Sequence, residues 1–411
     1  MSVLIDEQPH GVSVDYVRNY NLKLLLDAIK FHGPISRSDL ARLVGLSPPT
    51  VSSLVGHLLE RDLLKEAELE STNIGRPPQL FHYNESAGYV IGVEINYTSI
   101  RSSMANLSGK LIHTIEEPRN KYIGVNESID QCKTIIDRLL SQSRINWDKI
   151  LALSVAVPGI TDSQNGIVIL AKNLYGWHQV PLGRILQETY HIPIIVENDL
   201  RCAALGEYAY GAARGQDTFV IVGLREGVGC ALMVNGQVLQ GHNFMAGEIG
   251  YMCANISSIR NTVAKRGYLE SYFDMQFIRE KVSKALRQGT RSSLDAFTPG
   301  EENEITMKDI LDHAMQNDEL ALEIASLITN GLAFTITNIT VVCDPELVVL
   351  GSDFGIGGEF LISEVRRLVN DQIPFQPEIV LSSLGSNSVL SGALHMAIAT
   401  AEERILGDLS N

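Results

Sequence analysis

The chain has little of what marks a secreted, membrane-spanning or disulfide-stapled protein. Its 411 residues include five cysteines, Cys132, Cys202, Cys230, Cys253 and Cys343. They are odd in number, widely spaced and never in a C-x-x-C pair, which argues against a disulfide framework and a simple zinc site. No run approaches the roughly 18 consecutive apolar residues that a membrane-spanning helix requires. The opening MSVLIDEQPH carries acids where a secretory signal carries lysine and an apolar core, so a cytoplasmic location is expected. Positive charge is also scarce, with 33 Lys and Arg against 48 Asp and Glu, a formal net charge of −15. Nucleic-acid contact therefore needs a local basic patch. What remains is ordinary for a globular protein, 45% hydrophobic and 20% charged. The length exceeds one core and implies two or three domains.

The local patch lies near the start. From Arg18 to His32 the apolar residues Leu22, Leu24, Leu25, Ile29 and Phe31 recur near helical spacing, and Gly33-Pro34 stops the run. Ser36 stands where an N-cap belongs, Asp39 holds the capping-box position, and Gly45 closes a second, short helix. Ser47 is the next N-cap, and Pro48 and Pro49 take the first helical positions, where a missing N–H costs nothing. Three helices with a tight turn before the last match a helix-turn-helix, whose final helix enters the major groove N-terminus first. Its leading residues Pro48, Thr50, Ser52 and Ser53 are small enough to approach phosphates and base edges; with Arg37 and Ser47 they are candidate DNA contacts. Between Asn21 and Ser53, Lys23, Lys30, Arg37 and Arg42 outnumber Asp27 and Asp39. The stretch LLKEAELESTNIGRPPQLFHY then predicts a strand, a turn at Asn73-Ile74-Gly75 and a return strand. Arg76, flanked by Gly75 and Pro77, sits at the tip of this wing within reach of a minor groove or phosphate. Residues 1–83 are predicted to form a winged helix-turn-helix.

Beyond Asn84 the pattern changes to strands. GYVIGVEINYTSIRSSMANLSGKLIHTI predicts a three-stranded meander, and DTFVIVGLREGVGCALMVNGQVLQG repeats it with an Asn235-Gly236 hairpin. A helix near Ile129 to Ser141 and the strand ILALSVAVPG lie between them, followed by IPIIVENDLRCAALGEY. In that last stretch a buried strand delivers Glu197, Asn198 and Asp199 where a small-residue helix begins. Carboxylates and a carboxamide so placed can grip hydroxyl groups or take a proton from one, or merely cap the helix. Near the C-terminus ELALEIASLITNGLAFTITNIT leads into the strand of PELVVLGSD. The apolar stretch Leu320 to Thr337 suits subunit contact or core packing. A duplicated meander with alternating helices and strands implies two similar α/β lobes flanking a cleft, with ligands at the strand ends.

In order, the winged helix with its GRPP tip, VPG, NLYGWHQVPL, VENDLRCAALGE, AGEIGY and RGYLES resemble the ROK family. That family joins sugar-responsive repressors to sugar kinases. The resemblance covers nearly the whole chain and implies a two-lobed actin-like, hexokinase-like domain over 84–411. It also implies roles. In ROK kinases the Asp of E-N-D takes the proton from the sugar hydroxyl and the Asn binds sugar, which points to Asp199 and Asn198. The Glu of A-G-E-I-G and the Glu after the zinc motif point to Glu248 and Glu270, and Asn173 stands where the family places a residue near the sugar.

The same resemblance exposes departures. Kinases carry D-x-G-G-T in the first meander, where backbone N–H groups cradle phosphate and side chains would block the approach. Here Glu94-Ile95-Asn96-Tyr97-Thr98 stands in its place, and the second cradle reads Leu224-Arg225-Glu226 before Gly227. A glutamate there repels phosphate. The family's zinc ligands fall on Asn261, Val263, Tyr268 and Tyr251, none of them a thiolate or imidazole, and His242 alone is no site. No metal and no cofactor are expected, and Tyr251 offers a hydroxyl and a ring to sugar instead. The expected function is a DNA-binding repressor with a sugar effector, acting on operator DNA as a homodimer or dimer of dimers, and not an enzyme. A sugar kinase with an added DNA-binding domain and a repressor answering to a protein partner are the alternatives.

Overall fold

Helix α1 (Val14–His32) turns Leu22, Leu25, Leu26 and Ile29 inward, an amphipathic stripe at i, i+3, i+4 and i+7. These coordinates come from a computed structural model that describes residues 14–67, 79–120, 122–224, 227–253, 269–273, 275–297, 305–351 and 357–407. Leu24 and Phe31, part of the apolar run in the sequence, lie instead on the exposed side of α1. Strand β1 (Ile35–Ser36) leads into α2 (Arg37–Val44), capped by Ser36, which accepts from the Asp39 N–H at 3.2 Å. Gly45 ends α2 at φ 69°, a left-handed turn that glycine adopts without strain. In α3 (Pro48–Glu60) Ser47 caps the first turn, and Val51, Leu54, Val55 and Leu58 are buried at helical spacing. Strands β2 (Leu64–Ala67) and β3 (Leu80–Tyr83) pair antiparallel, and β1 adds a third strand that the sequence did not signal. The expected wing tip with Arg76 lies outside the described residues.

The first lobe opens with the meander β4 (Tyr89–Ile95), β5 (Ser99–Asn106) and β6 (Leu111–Pro118). Then come α4 (Val125–Ser143), β7 (Ile150–Val157), the small sheet β8 (Ile160–Asp162), β9 (Ile167–Leu170) and β10 (His178–Val180), and α5 (Leu182–Tyr190). Strand β11 (Ile194–Asn198) runs straight into α6 (Asp199–Tyr210). The main sheet has the order β11-β7-β4-β5-β6, with β7 parallel to both β4 and β11.

The second lobe repeats this plan. Its meander is β12 (Phe219–Leu224), β13 (Val228–Val234) and β14 (Gln237–Val238), turned at Asn235 and Gly236, both at positive φ as the expected hairpin requires. Helices α7 (Glu270–Phe273), α8 (Met275–Arg287), α9 (Met307–Met315) and α10 (Glu319–Cys343) follow, then β15 (Leu347–Leu350), α11 (Gly358–Asn370), β16 (Glu378–Leu381) and α12 (Ser388–Gly407). The order β14-β13-β12-β15-β16, with β15 parallel to β12 and β16, matches the first sheet strand for strand.

Period-2 burial decides which helices cover which face. Ile91, Val93 and Ile95 of β4 pack with Ile135, Ile136 and Leu139 of α4, while Val90 shares a cluster with Leu394, Ala397 and Ile398 of α12. Likewise Val220 and Val222 face α8 to α11, while Phe219 and Ile221 join Cys202 and Ala203 of α6. Helices α6 and α12 therefore fill the space between the lobes. The stretch Leu320 to Thr337, expected to serve subunit contact or core packing, lies in α10. Among the described residues α10 is long and apolar enough to cross a bilayer, with a mean hydropathy of 1.5 over its best window. Its apolarity belongs to the second lobe's core, where Leu320, Ile324, Ile328, Leu332 and Ile336 are buried. Core packing is the use the fold makes of that stretch.

Where α6 meets α12 their backbones touch. A Cβ on Gly392 would lie 1.7 Å from the Cys202 carbonyl oxygen and 3.0 Å from the Gly206 nitrogen. Gly392→Ala is expected to cost about 1–3 kcal/mol or more through overpacking, read as a lower urea midpoint at unchanged slope.

Candidate functional site

Between the lobes lies a cleft of about 680 Å³. Its floor is the junction of β11 and α6. Glu197, the penultimate residue of β11, is 3% exposed, and a carboxylate there must be answered by charge and donors. Arg201, one helical turn on and 2% exposed, donates from Nε to Glu197 Oε1 at 2.7 Å and from a terminal nitrogen to the Thr161 carbonyl at 2.8 Å. The Asn198 N–H donates to the same carboxylate at 2.7 Å. Burial pushes the Glu197 carboxyl up, and Arg201 works against that rise. Glu197 is thus a structural anchor, and sequence reasoning singled it out without its partner.

Asn198 both caps α6 and faces the cleft. Its Oδ1 accepts from the Arg201 N–H at 3.0 Å, and its Nδ2 donates to the Gly159 carbonyl at 2.9 Å and to Asp199 Oδ1 at 3.1 Å. Gly159 sits at φ 91° with the Leu170 carbonyl 2.3 Å from where a Cβ would be, so the VPG segment admits only glycine. Asp199 lines the cleft and accepts from the Leu200 N–H at 2.9 Å.

All six residues singled out in the sequence, Asn173, Asn198, Asp199, Glu248, Tyr251 and Glu270, line this cleft. Glu248 follows Gly247, whose φ of 94° and 2.0 Å approach to the Cys230 carbonyl again require glycine. Burial raises the Glu248 carboxyl above the usual range, and the nearby charges of Asp199 and Glu270 raise it further. Lys172 and Arg201 pull the other way. Burial among like charges makes the ionised form of such a carboxyl costlier than it is in water.

Four cations line the cleft, Arg101, Lys172, Arg279 and Lys308, and sequence reasoning singled out none of them. Lys172 sits beside Asn173 in the sequence, and its Nζ lies 4.1 Å from the centre of the Tyr251 ring. An ammonium there repels a metal ion, so the place of the family's zinc histidine does not suit zinc. Asn261, Val263 and Tyr268 lie outside the described residues, and Cys253 is exposed. Arg101 bonds to the Ser386 carbonyl at 2.7 Å and Asn387 Oδ1 at 2.6 Å, with Glu94 at 3.4 Å.

In the stretch that stands where the kinases carry D-x-G-G-T, Asn96 Oδ1 accepts from the Thr98 N–H at 2.9 Å and the Ser99 N–H at 2.7 Å, so these two amides already have an acceptor. Arg225 and Glu226 of the second cradle lie outside the described residues.

On the N-terminal module, Ser47, Pro48, Thr50, Ser52 and Ser53 are exposed along the leading end of α3. Arg37 is placed differently. It stacks 4.4 Å over the Phe81 ring and donates to Gln79 Oε1 at 2.7 Å, braced against the wing's return strand.

The sequence model described as ROK family matches residues 90–400. The chain belongs to the ROK family. A model described as winged helix-turn-helix DNA-binding matches residues 18–65. This ROK protein is similar to the xylose repressor of Bacillus spizizenii, with 26% identity over 390 residues, 93% of this chain and 96% of that one. Among solved structures it resembles a ROK family transcriptional regulator, a homolog of the Escherichia coli Mlc protein, at TM-score 0.81 and 21% identity over 95% and 98% of the two chains. It also resembles a ROK glucokinase from Streptomyces griseus in complex with glucose and AMPPNP, at TM-score 0.65 and 20% identity over 75% and 99%. The expected architecture, a winged helix-turn-helix before a two-lobed actin-like domain, is the one observed.

Two outcomes follow from the buried charges. Arg201→Met strands Glu197 and is expected to cost about 3–5 kcal/mol in urea unfolding, part of it regained by adding Glu197→Met. Glu248 has its folded pKa above the unfolded one, so its penalty is absent at low pH and grows as pH climbs from the usual carboxylate range through the raised value. Glu248→Gln should therefore raise the melting temperature at pH 7 to 8 and lose that advantage near pH 4 in a pH series of thermal scans.

Proposed function

We propose that this ROK protein is a DNA-binding transcriptional repressor whose two-lobed domain binds a sugar as effector without phosphorylating it. The observation that carries the reading is the Asn96 carboxamide, which holds the amides of the first phosphate cradle while the acid-lined cleft beside it stays open. Phosphoryl transfer depends on positioning and charge stabilisation. A chain that has spent those amides on its own side chain keeps recognition and gives up transfer. Asn173, Asn198, Asp199, Glu248, Tyr251 and Glu270 are the proposed sugar contacts, since the carboxyl oxygens of Asp199, Glu248 and Glu270 together in one cleft suit the hydroxyls of a sugar. An exposed row of small residues at the leading end of α3 supports operator binding through Ser47, Pro48, Thr50, Ser52 and Ser53, with Arg37 bracing the wing; Arg76 is a further proposed DNA contact. Relatives named as xylose repressor, Mlc and NagC point the same way. The protein acts in the cytoplasm as a homodimer, in which two recognition helices read half-sites about one DNA turn apart.

Thermal scans with D-xylose, D-glucose and N-acetyl-D-glucosamine test the effector. One of them should raise the melting temperature saturably, because a ligand that binds only the folded form stabilises it, and Asp199→Ala should abolish the rise. Sugar-dependent ATP turnover at kinase rates in a coupled assay would reject the reading, and the absence of any rise would favour control by a protein partner. Ser53→Asp, which sets a carboxylate against DNA phosphates, should weaken binding to DNA upstream of the protein's own coding region by about tenfold or more and leave the sugar response intact.

A further inference from the structure

Helix α12 begins at the cleft and ends at the DNA-binding module. Ser386, just before its first turn, lines the cleft, and Arg101 of the first lobe holds Ser386 and Asn387 together. Sixteen residues later, after about 21 Å of helix, Glu402 receives two donors from the winged helix-turn-helix. Lys30 of α1 forms an ion pair with it, and the Tyr83 hydroxyl of β3 donates to Glu402 Oε1 at 3.0 Å. Lys30 also lies 4.9 Å over the Tyr83 ring, so ammonium, phenol and carboxylate form one contact at the last strand of the wing. Around them the apolar core is continuous. Leu22, Leu25, Phe81 and Tyr83 of the module share a buried cluster with Leu394, Ala397, Ile398 and Ala401 of α12.

The middle of α12 meets the other element that starts at the cleft. Helix α6 carries Asn198 and Asp199 at its N-terminus, and its backbone touches that of α12 at Gly206 and Gly392, where a Cβ on either would fall 2.3 Å or less from a carbonyl oxygen. Cys202 Sγ and Met396 Sδ lie 4.0 Å apart, and the Tyr210 and His395 rings pack edge to face at 5.7 Å. Backbones in contact leave no compressible layer, so a displacement of α6 is passed to α12 rather than absorbed by side chains. Coupling then needs only that α6 and α12, moving together, take two positions relative to the sheets they pack against.

We propose that α12 is a lever joining the cleft to the DNA-binding module, driven by α6 at the Gly206–Gly392 contact, with Glu402 as its outlet. The direction of signalling rests on the sugar-sensing reading above; the mechanical coupling does not. A coupling between two ends is reciprocal, so disturbing the outlet must be felt at the cleft with no ligand present.

The test is hydrogen exchange on the full-length protein, comparing wild type with Glu402→Gln, Tyr83→Phe and the control Glu188→Gln, which breaks an exposed pair on α5. Without sugar, Glu402→Gln should change exchange in α6 by about fivefold or more, as well as in α1, and Tyr83→Phe should do the same more weakly. The control should change neither. A change confined to α1 and the end of α12 means that Glu402 only fastens the module, and overturns the lever. In a second arm D-xylose or D-glucose is added. Wild type should alter exchange in α1, and Glu402→Gln should lose most of that response while keeping the sugar's rise in melting temperature. A sugar that binds wild type and leaves α1 unmoved also overturns the lever. Absence of binding by either sugar counts against the sensing reading, and the ligand-free arm then decides the lever by itself.

Discussion

A carboxylate withdrawn from water is expensive unless a cation and several donors meet it, and at Glu197 the protein accepts that demand at the seam between its lobes. Arg201 meets it from one helical turn away and with its remaining nitrogens ties down the Thr161 carbonyl and approaches that of Phe244 at 3.5 Å. Gln240 adds a donor to Ser163 and a longer one, at 3.4 Å, to Glu197 Oε2. One buried charge thereby fixes the end of β11, the start of α6, the β8 hairpin and the loop after β14. The Asn198 cap and the position of Asp199 follow from it. Without this brace the cleft's floor would have no single shape to offer a ligand.

The two lobes share a sheet plan. In the first lobe the turn after β4 satisfies its Thr98 and Ser99 N–H groups through Asn96 Oδ1. The side chains of Asp199, Glu248 and Glu270 still converge. Recognition of hydroxyl groups needs such side chains, while transfer of a phosphoryl group needs bare backbone as well.

Much of the fold was legible. Ser36, Gly45 and Ser47 mark helix ends because their side-chain oxygens or left-handed φ satisfy groups that a helix leaves open. Asn235-Gly236 marks a hairpin for a similar reason. The ordered motifs located every residue that was expected to face the cleft. Other features were hidden because they depend on partners distant in sequence. Arg201 reads as one more helical charge until Glu197 and the Thr161 carbonyl are brought to it. Lys172 carries no signal until Tyr251, far along the chain, lies beneath it. Leu24 and Phe31 fit the apolar run by type and face solvent by geometry. Strand β1, two residues long, has no pattern of its own and exists only because β3 offers an edge.

The sequence by itself determined the local conformations, the repeat of one lobe by the other and the set of polar residues available at the strand ends, since each rests on periodicity or on groups a few residues apart. Only the tertiary structure decided that α10 serves as core, that Arg37 braces the wing, that Asn96 holds the Thr98 and Ser99 amides, and that α12 reaches from the cleft to Lys30 and Tyr83. Those outcomes turn on burial and on which backbone lies against which, quantities that a linear order of side chains does not contain.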